Sequence, residues 1–159
     1  MKPTMDPLLQ EHKKETAAGY LSIALAIVVS VIGIFNWLAL RGLVISLLGY
    51  YEVDPFAWQA IDYSMFISLG IGWLAYVYYS QFHFKKRALA GRVWSSFSAF
   101  VAVQAWLLFG CGLPYFILGG LENPPSDAWL LLVSEGSGAL VLTIVSVWLG
   151  KNRAAAVDR

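Results

Sequence analysis

The chain alternates between long apolar runs that carry almost no charge and short polar segments. Four of these runs reach the roughly 20 residues that a helix needs to cross a bilayer. They cover residues 18–40, 57–84, 93–113 and 128–149, and polar tails of residues 1–17 and 150–159 flank them. The pattern therefore predicts an all-α integral membrane protein, a bundle of four transmembrane helices, with no separate soluble domain.

The edges of the apolar runs refine this prediction. The first run continues to Leu40 and Arg41, whereas a secretory signal has a shorter apolar core and a small-residue cleavage site, so we expect an uncleaved anchor. Residues 42–51 are a second apolar stretch, too short to span alone. They either extend the first helix by about 15 Å or lie flat at the interface, and the sequence leaves both open. Pro114, close to several glycines, predicts a kinked or frayed end of the third span.

The positions of lysine and arginine predict the orientation. Short loops rich in these residues stay in the cytoplasm. Ten of the eleven basic residues lie in the two tails or in the segment 85–92, and the exception is Arg41. We therefore expect a protein of the inner membrane with both termini in the cytoplasm. Tryptophans at the predicted span ends agree with these boundaries, because indole rings favour the headgroup layer; they are Trp58, Trp94, Trp129 and Trp148.

Small residues four positions apart indicate how the helices could pack. Helices in a bilayer associate by close backbone approach and interhelical hydrogen bonds, which small residues favour. The longest such row is in the second span and consists of Ala60, Ser64, Ser68 and Gly72. Shorter rows in the other spans support a packed four-helix bundle.

Ionisable and amide side chains inside the spans are the candidates for function, because a charged group in hydrocarbon is costly and needs a partner or a route to water. Arg41, Asp62 and Glu135 lie in the outer half of the predicted spans together with Asn36, and Gln104 lies near the middle of the third span. The hypothesis is that Arg41 pairs with Glu135 or Asp62, and that the two amides complete a polar binding pocket open to the outside. Alternatively, the groups form an interhelical pair that fixes packing, a snorkelling contact with headgroups, or a contact with another subunit.

Other chemistry finds little support in the residues. Apolar residues make up 58% of the chain and charged residues 13%, and no clustered basic surface suggests nucleic-acid binding. The two histidines, His12 and His83, lie outside or at the edge of the spans, which does not suit a membrane haem with two axial imidazoles. Cys111 is the only cysteine, so we expect a structural residue and no multi-cysteine metal site. Trp73 and Trp106 lie within spans and are expected to fill the bundle or to contact lipid, a partner or a quinone. We therefore predict no catalytic residue, no metal and no cofactor.

One resemblance adds to these expectations. The four short-looped spans, Trp58 at the start of the second span, Gly70 and Gly72 within it and His83 near its end resemble the small membrane subunit of TRAP-type transporters, over roughly residues 25 to 149. The acidic pair that follows the tryptophan in that family is absent here, so no functional residue is carried over.

The sequence leaves several functions open. The leading expectation is a non-catalytic accessory or transporter-associated subunit, whose partners are the bilayer and another membrane subunit or a second copy. Alternatives are a small solute or ion carrier that uses the polar pocket, the TRAP-type subunit, and a membrane enzyme acting on lipid-soluble substrates. Small four-span membrane enzymes that use glutathione are an example of this last alternative. The chain lacks the arginine-rich cytoplasmic site that their chemistry would need.

Overall fold

The computed structural model describes the backbone of residues 7–118 and 126–157, and the side chains of residues 8–114 and 129–151. These residues form four helices: α1 from Pro7 to Tyr50, α2 from Pro55 to Leu89, α3 from Val93 to Leu118 and α4 from Ser126 to Val157. All four are long and apolar enough to cross a membrane. The prediction of an all-helical chain with four helices of this kind is confirmed.

Helix α1 is unbroken over 44 residues, which corresponds to about 66 Å. Residues 42–50 therefore continue the first helix, and the alternative of a separate interfacial segment does not hold. One stripe of α1, with residues three or four positions apart, is buried by the other helices; it includes Ala18, Ser22, Leu25, Val29 and Asn36. Burial on one stripe shows that the other helices pack against a single side of α1.

Both described turns are explained by local chemistry. Asp54 caps α2 by accepting a hydrogen bond from the Phe56 N–H at 3.0 Å, and Pro55 occupies the first turn, where its missing N–H costs nothing. After α2, Gly91 adopts φ 68°, and the Arg92 N–H donates to the Arg87 carbonyl at 2.8 Å. This left-handed glycine ends α2 and lets α3 begin two residues later.

Helix α3 passes through Pro114 and continues to Leu118. The helix is thus longer than the predicted third span of residues 93–113, and the part of it apolar enough to cross a membrane is Val93–Pro114 among the described residues. A proline inside a helix removes one backbone hydrogen bond, and α3 tolerates this loss in its last described turns. The predicted Pro124–Pro125 turn lies outside the described residues.

The helices α1, α2 and α3 contact one another, and among the described residues α4 packs against α3 alone. The buried core lies where the first three helices converge near the α2–α3 turn. There Phe84, which is fully buried, packs against the rings of Phe97 and Phe100 and beside Leu25 and Val29. Away from this end the described helices leave grooves between them, so the arrangement is more open than the predicted closed bundle.

Candidate functional site

The five residues predicted to share a polar pocket lie in three different places. Arg41 and Asp62 form a pair between α1 and α2. Asn36 and Gln104 line a cavity bordered by α1, α2 and α3. Glu135 lies in a groove bordered by α1, α3 and α4.

The Arg41–Asp62 pair is bidentate. The guanidinium donates from Nε to Asp62 Oδ1 at 2.6 Å and from Nη2 to Oδ2 at 2.7 Å. This fork geometry matches the planar guanidinium to the carboxylate and uses both oxygens, so it fixes direction as well as distance. The two side chains are 42% and 33% exposed. Because the pair joins consecutive antiparallel helices, it fixes the register of the α1–α2 hairpin, and each charge neutralises the other.

Both buried amides donate to the backbone of α1, but only Gln104 joins two helices. The Gln104 side-chain Nε2 donates to the Val29 carbonyl at 3.0 Å, and the Asn36 side-chain Nδ2 donates to the Ile32 carbonyl at 3.4 Å. Gln104 thereby connects α3 to α1. Both side chains are almost completely buried, with exposed fractions of 4% for Gln104 and 5% for Asn36.

Gly33 makes this close packing possible. A Cβ atom at Gly33 would lie 3.2 Å from Trp73 Nε1 and 3.3 Å from Gln104 Nε2, which is tighter than ordinary van der Waals contact. The Trp73 indole N–H donates to the Ser30 carbonyl at 3.1 Å, so its ring is held against α1. The absence of a side chain at Gly33 therefore admits one polar side chain from α2 and one from α3 to the same stretch of α1.

The cavity beside these amides has a volume of about 250 Å³. Its walls are largely apolar and aromatic, and the lining residues that matter below are Asn36, Trp37, Trp73, Tyr76 and Gln104. The sequence predicted the two amides as site residues but not Trp37 or Tyr76. A sequence signal could have identified both residues. Each is an aromatic residue with a polar tip inside a predicted span, and each lies near a buried amide on the same helix or on a neighbouring one.

Glu135 does not reach Arg41. The α1 residues that share its groove of about 390 Å³ are Ala39, Gly42, Leu43 and Ser46, whereas Arg41 turns toward α2. The Glu135 Oε2 atom lies 3.6 Å from the position that a Cβ at Gly112 would take, and Cys111 lines the same groove. Within the part of the chain with described side chains, no three histidine, cysteine, aspartate or glutamate residues are grouped so as to hold a metal ion.

A fourth feature lies at the α2–α3 turn, where the sequence suggested only a basic loop. A cleft of about 340 Å³ is lined by His83, Arg87 and Arg92 together with the hydroxyl-bearing Ser95 and Ser96. Positive side chains and free N–H groups of the first turn of α3 favour negative charge at this level. This end of the molecule is thus suited to the anionic headgroup layer.

Comparison with known proteins identifies no relative. No family model matches the chain, and neither the curated proteins nor the solved structures contain a significant match. The resemblance to the small TRAP-type subunit stays a prediction, and function has to be argued from the residues themselves.

Proposed function

We propose that this protein is a small, non-catalytic accessory subunit of the inner membrane, which docks against a transmembrane helix of a larger, transporter-type protein. The observation that carries the proposal is the exposed row of small residues along the middle of α2.

Membrane insertion is supported by the outward faces of the helices. Large apolar side chains are exposed on every helix, among them Phe35 on α1, Phe66 and Leu74 on α2, Val103 on α3 and Ile144 on α4. Soluble proteins rarely expose contiguous apolar patches of more than a few hundred Å². Lipid tails solvate such faces without cost. The basic segment 85–92 supports a cytoplasmic position for the α2–α3 turn.

The row Ala60, Ser64, Ser68 and Gly72 is exposed along its whole length. Sequence analysis assigned this row to packing within the bundle, but none of its members is buried by α1 or α3. It borders an open groove of about 520 Å³ between α1 and α2, whose walls also include Leu40 and Val44. A second helix could approach the α2 backbone closely here, because the side chains in its way are small.

The charged groups favour this subunit role over a carrier. A carrier of charged solutes needs ionisable groups along one route, whereas Arg41 is neutralised by Asp62 and Glu135 lies in a different groove. The Glu135 groove is the feature from which the carrier alternative would have to be argued. Proton-coupled flux in liposomes containing this chain alone would favour that alternative.

The docking proposal is tested with the full chain in its own membrane. The protein is extracted in a mild detergent and its complexes are weighed by native mass spectrometry. We expect a complex of fixed stoichiometry with a different, larger membrane protein. Replacing Ser64 and Ser68 together by leucine fills the row and should dissociate the complex, because leucine side chains prevent close backbone approach.

The matched control is the double replacement of Ser134 and Ser137 by leucine. Both serines are exposed on α4, far from the row, so the complex should survive. A 17.6 kDa monomer as the only species would contradict the proposal. So would a complex that contains only copies of this chain, or one that the Ser64 and Ser68 replacements leave intact.

A further inference from the structure

The cavity between α1, α2 and α3 collects polar atoms that the protein itself leaves unused. Among the described side chains, four buried nitrogen or oxygen atoms have no hydrogen-bond partner: Asn36 Oδ1, Trp37 Nε1, Tyr76 Oη and Gln104 Oε1. All four belong to residues that line this one cavity. Buried polar groups are paired in the great majority of cases, so four orphans at one place need an explanation.

The orientation of the two amides strengthens this point. Each amide nitrogen donates to a carbonyl of α1, Gln104 to Val29 and Asn36 to Ile32. The hydrogen-bond network therefore determines which end of each amide is the oxygen. With the nitrogens engaged, two amide oxygens of cavity-lining residues are left without a donor. Trp37 adds an N–H donor, and the Tyr76 hydroxyl can donate or accept.

The shape of the cavity restricts what could fill it. Its volume of about 250 Å³ exceeds the roughly 150 Å³ of an apolar cavity that holds benzene and is slightly below the 300 Å³ at which cavities for drug-sized ligands begin. One substituted ring therefore fits, with any longer chain left outside. No lysine, arginine, aspartate or glutamate is among the lining residues, so the occupant is uncharged.

The way into the cavity leads through the apolar surface of the protein. Of its lining residues, Ser68 and Gly72 on α2 and Val103 and Leu107 on α3 are exposed. Helices α2 and α3 contact each other much less than each contacts α1, which leaves this side open. In a protein that spans the bilayer, the α3 side of the opening, with Val103 and Leu107, faces lipid tails, so an occupant arrives from the membrane phase.

We propose that this cavity binds the head ring of a small, uncharged, lipid-soluble molecule of the benzoquinone and benzoquinol class, whose tail stays in the bilayer. Quinone carbonyls accept hydrogen bonds from Trp37 Nε1 and Tyr76 Oη. Quinol hydroxyls donate to Asn36 Oδ1 and Gln104 Oε1. The inference rests on the membrane insertion proposed above. Ser68 and Gly72 also belong to the row proposed to dock a partner helix, so binding is tested on the chain without a partner.

The test uses the full chain in phosphatidylcholine nanodiscs and a radiolabelled benzoquinone with a ten-carbon tail. Binding is measured at equilibrium, and uptake by empty nanodiscs is subtracted. We expect saturable binding of one molecule per chain. The informative variants are Trp37→Phe and Tyr76→Phe, since each removes one of the polar atoms assigned to the ligand and keeps a ring. Each should weaken binding by roughly tenfold, the effect of one hydrogen bond at the upper end of its usual range.

Tyr78→Phe is the matched control, because Tyr78 lies on the same helix with 76% of its surface exposed and does not line the cavity. Affinity equal in the Tyr76 and Tyr78 variants would overturn the proposal, as would the absence of saturable binding. Competition by decanol as strong as by the unlabelled quinone would also overturn it, because the site would then recognise the tail alone. A chain that does not enter nanodiscs at all would instead contradict membrane insertion.

Discussion

The packing of α4 on α3 can be tested by adding one methyl group at Gly136. A Cβ atom at this position would lie 2.9 Å from Phe109 Cε2 and 3.2 Å from Phe109 Cδ2. Carbon atoms pack best at about 3.5–4.0 Å, so Gly136→Ala forces the ring away by roughly half an ångström or more. The ring is not free to move, because it packs edge-on against Trp106 at 5.7 Å, and Trp106 Nε1 donates to Thr143 Oγ1 of α4 at 3.1 Å.

Two opposing contributions set the magnitude of this effect. Overpacking of this kind costs about 1–3 kcal/mol, whereas replacing a helical glycine by alanine gains up to about 1 kcal/mol of helix propensity. Gly138 lies two residues further along α4, and a Cβ there would meet no atom within 4 Å. Gly138→Ala therefore receives the propensity gain alone. The difference in unfolding free energy between the two variants isolates the steric cost, which we expect to be about 1–3 kcal/mol.

The assay is reversible unfolding of the full chain in mixed micelles with increasing sodium dodecyl sulfate, followed by far-UV circular dichroism. Gly136→Ala should unfold at a lower detergent fraction than Gly138→Ala. Adding Phe109→Leu to Gly136→Ala should recover part of the loss, since the ring that clashes is gone. Equal stability of the two alanine variants would refute the described contact between α3 and α4.

The remaining predictions concern α1 and the orientation. Asp62→Asn and Arg41→Gln should each lower stability in the same assay, because each leaves one charge unpaired. Exchanging the two residues should recover part of the lost stability. A double variant no more stable than the single variants would contradict the pairing. Gly33→Ala should lower the stability, because the new Cβ would contact Trp73 and Gln104. Gly42→Ala should not, because a Cβ there meets no atom within 4 Å. Equal effects of the two variants would contradict the close approach of these two side chains to α1. Single cysteines placed at residues 85–92 in a cysteine-free background should resist impermeant maleimide applied from outside intact cells, and labelling there would reverse the proposed topology.

The Arg41 partner shows where sequence reasoning stops. The sequence identifies three ionisable groups that need partners, because burying a charge within an apolar helix costs free energy whichever helix lies next to it. It leaves Asp62 and Glu135 as equal choices for Arg41. The choice depends on the rotation of α1, which turns Arg41 toward α2 and its neighbours Ala39 and Gly42 toward the groove of Glu135.

The direction in which the small-residue row on α2 faces also depends on tertiary packing. Spacing by four residues places Ala60, Ser64, Ser68 and Gly72 on one face of a helix, and this is a property of helix geometry alone. Which way that face turns depends on the competing contacts of the whole helix. Trp73 inserts against α1 through its bond to Ser30, and the row remains on the open side.

What the sequence determined by itself was the number, type and apolar character of the helices, because a long uncharged run can satisfy its backbone hydrogen bonds only within its own segment when lipid surrounds it. The tertiary structure alone decided which polar groups meet. It separated the predicted pocket into an ion pair, a groove with Glu135 and a cavity with two amides, and it added Trp37 and Tyr76 to that cavity. The reason is that helical periodicity defines faces within one helix, whereas contacts between helices depend on rotation, tilt and close approach at single positions such as Gly33.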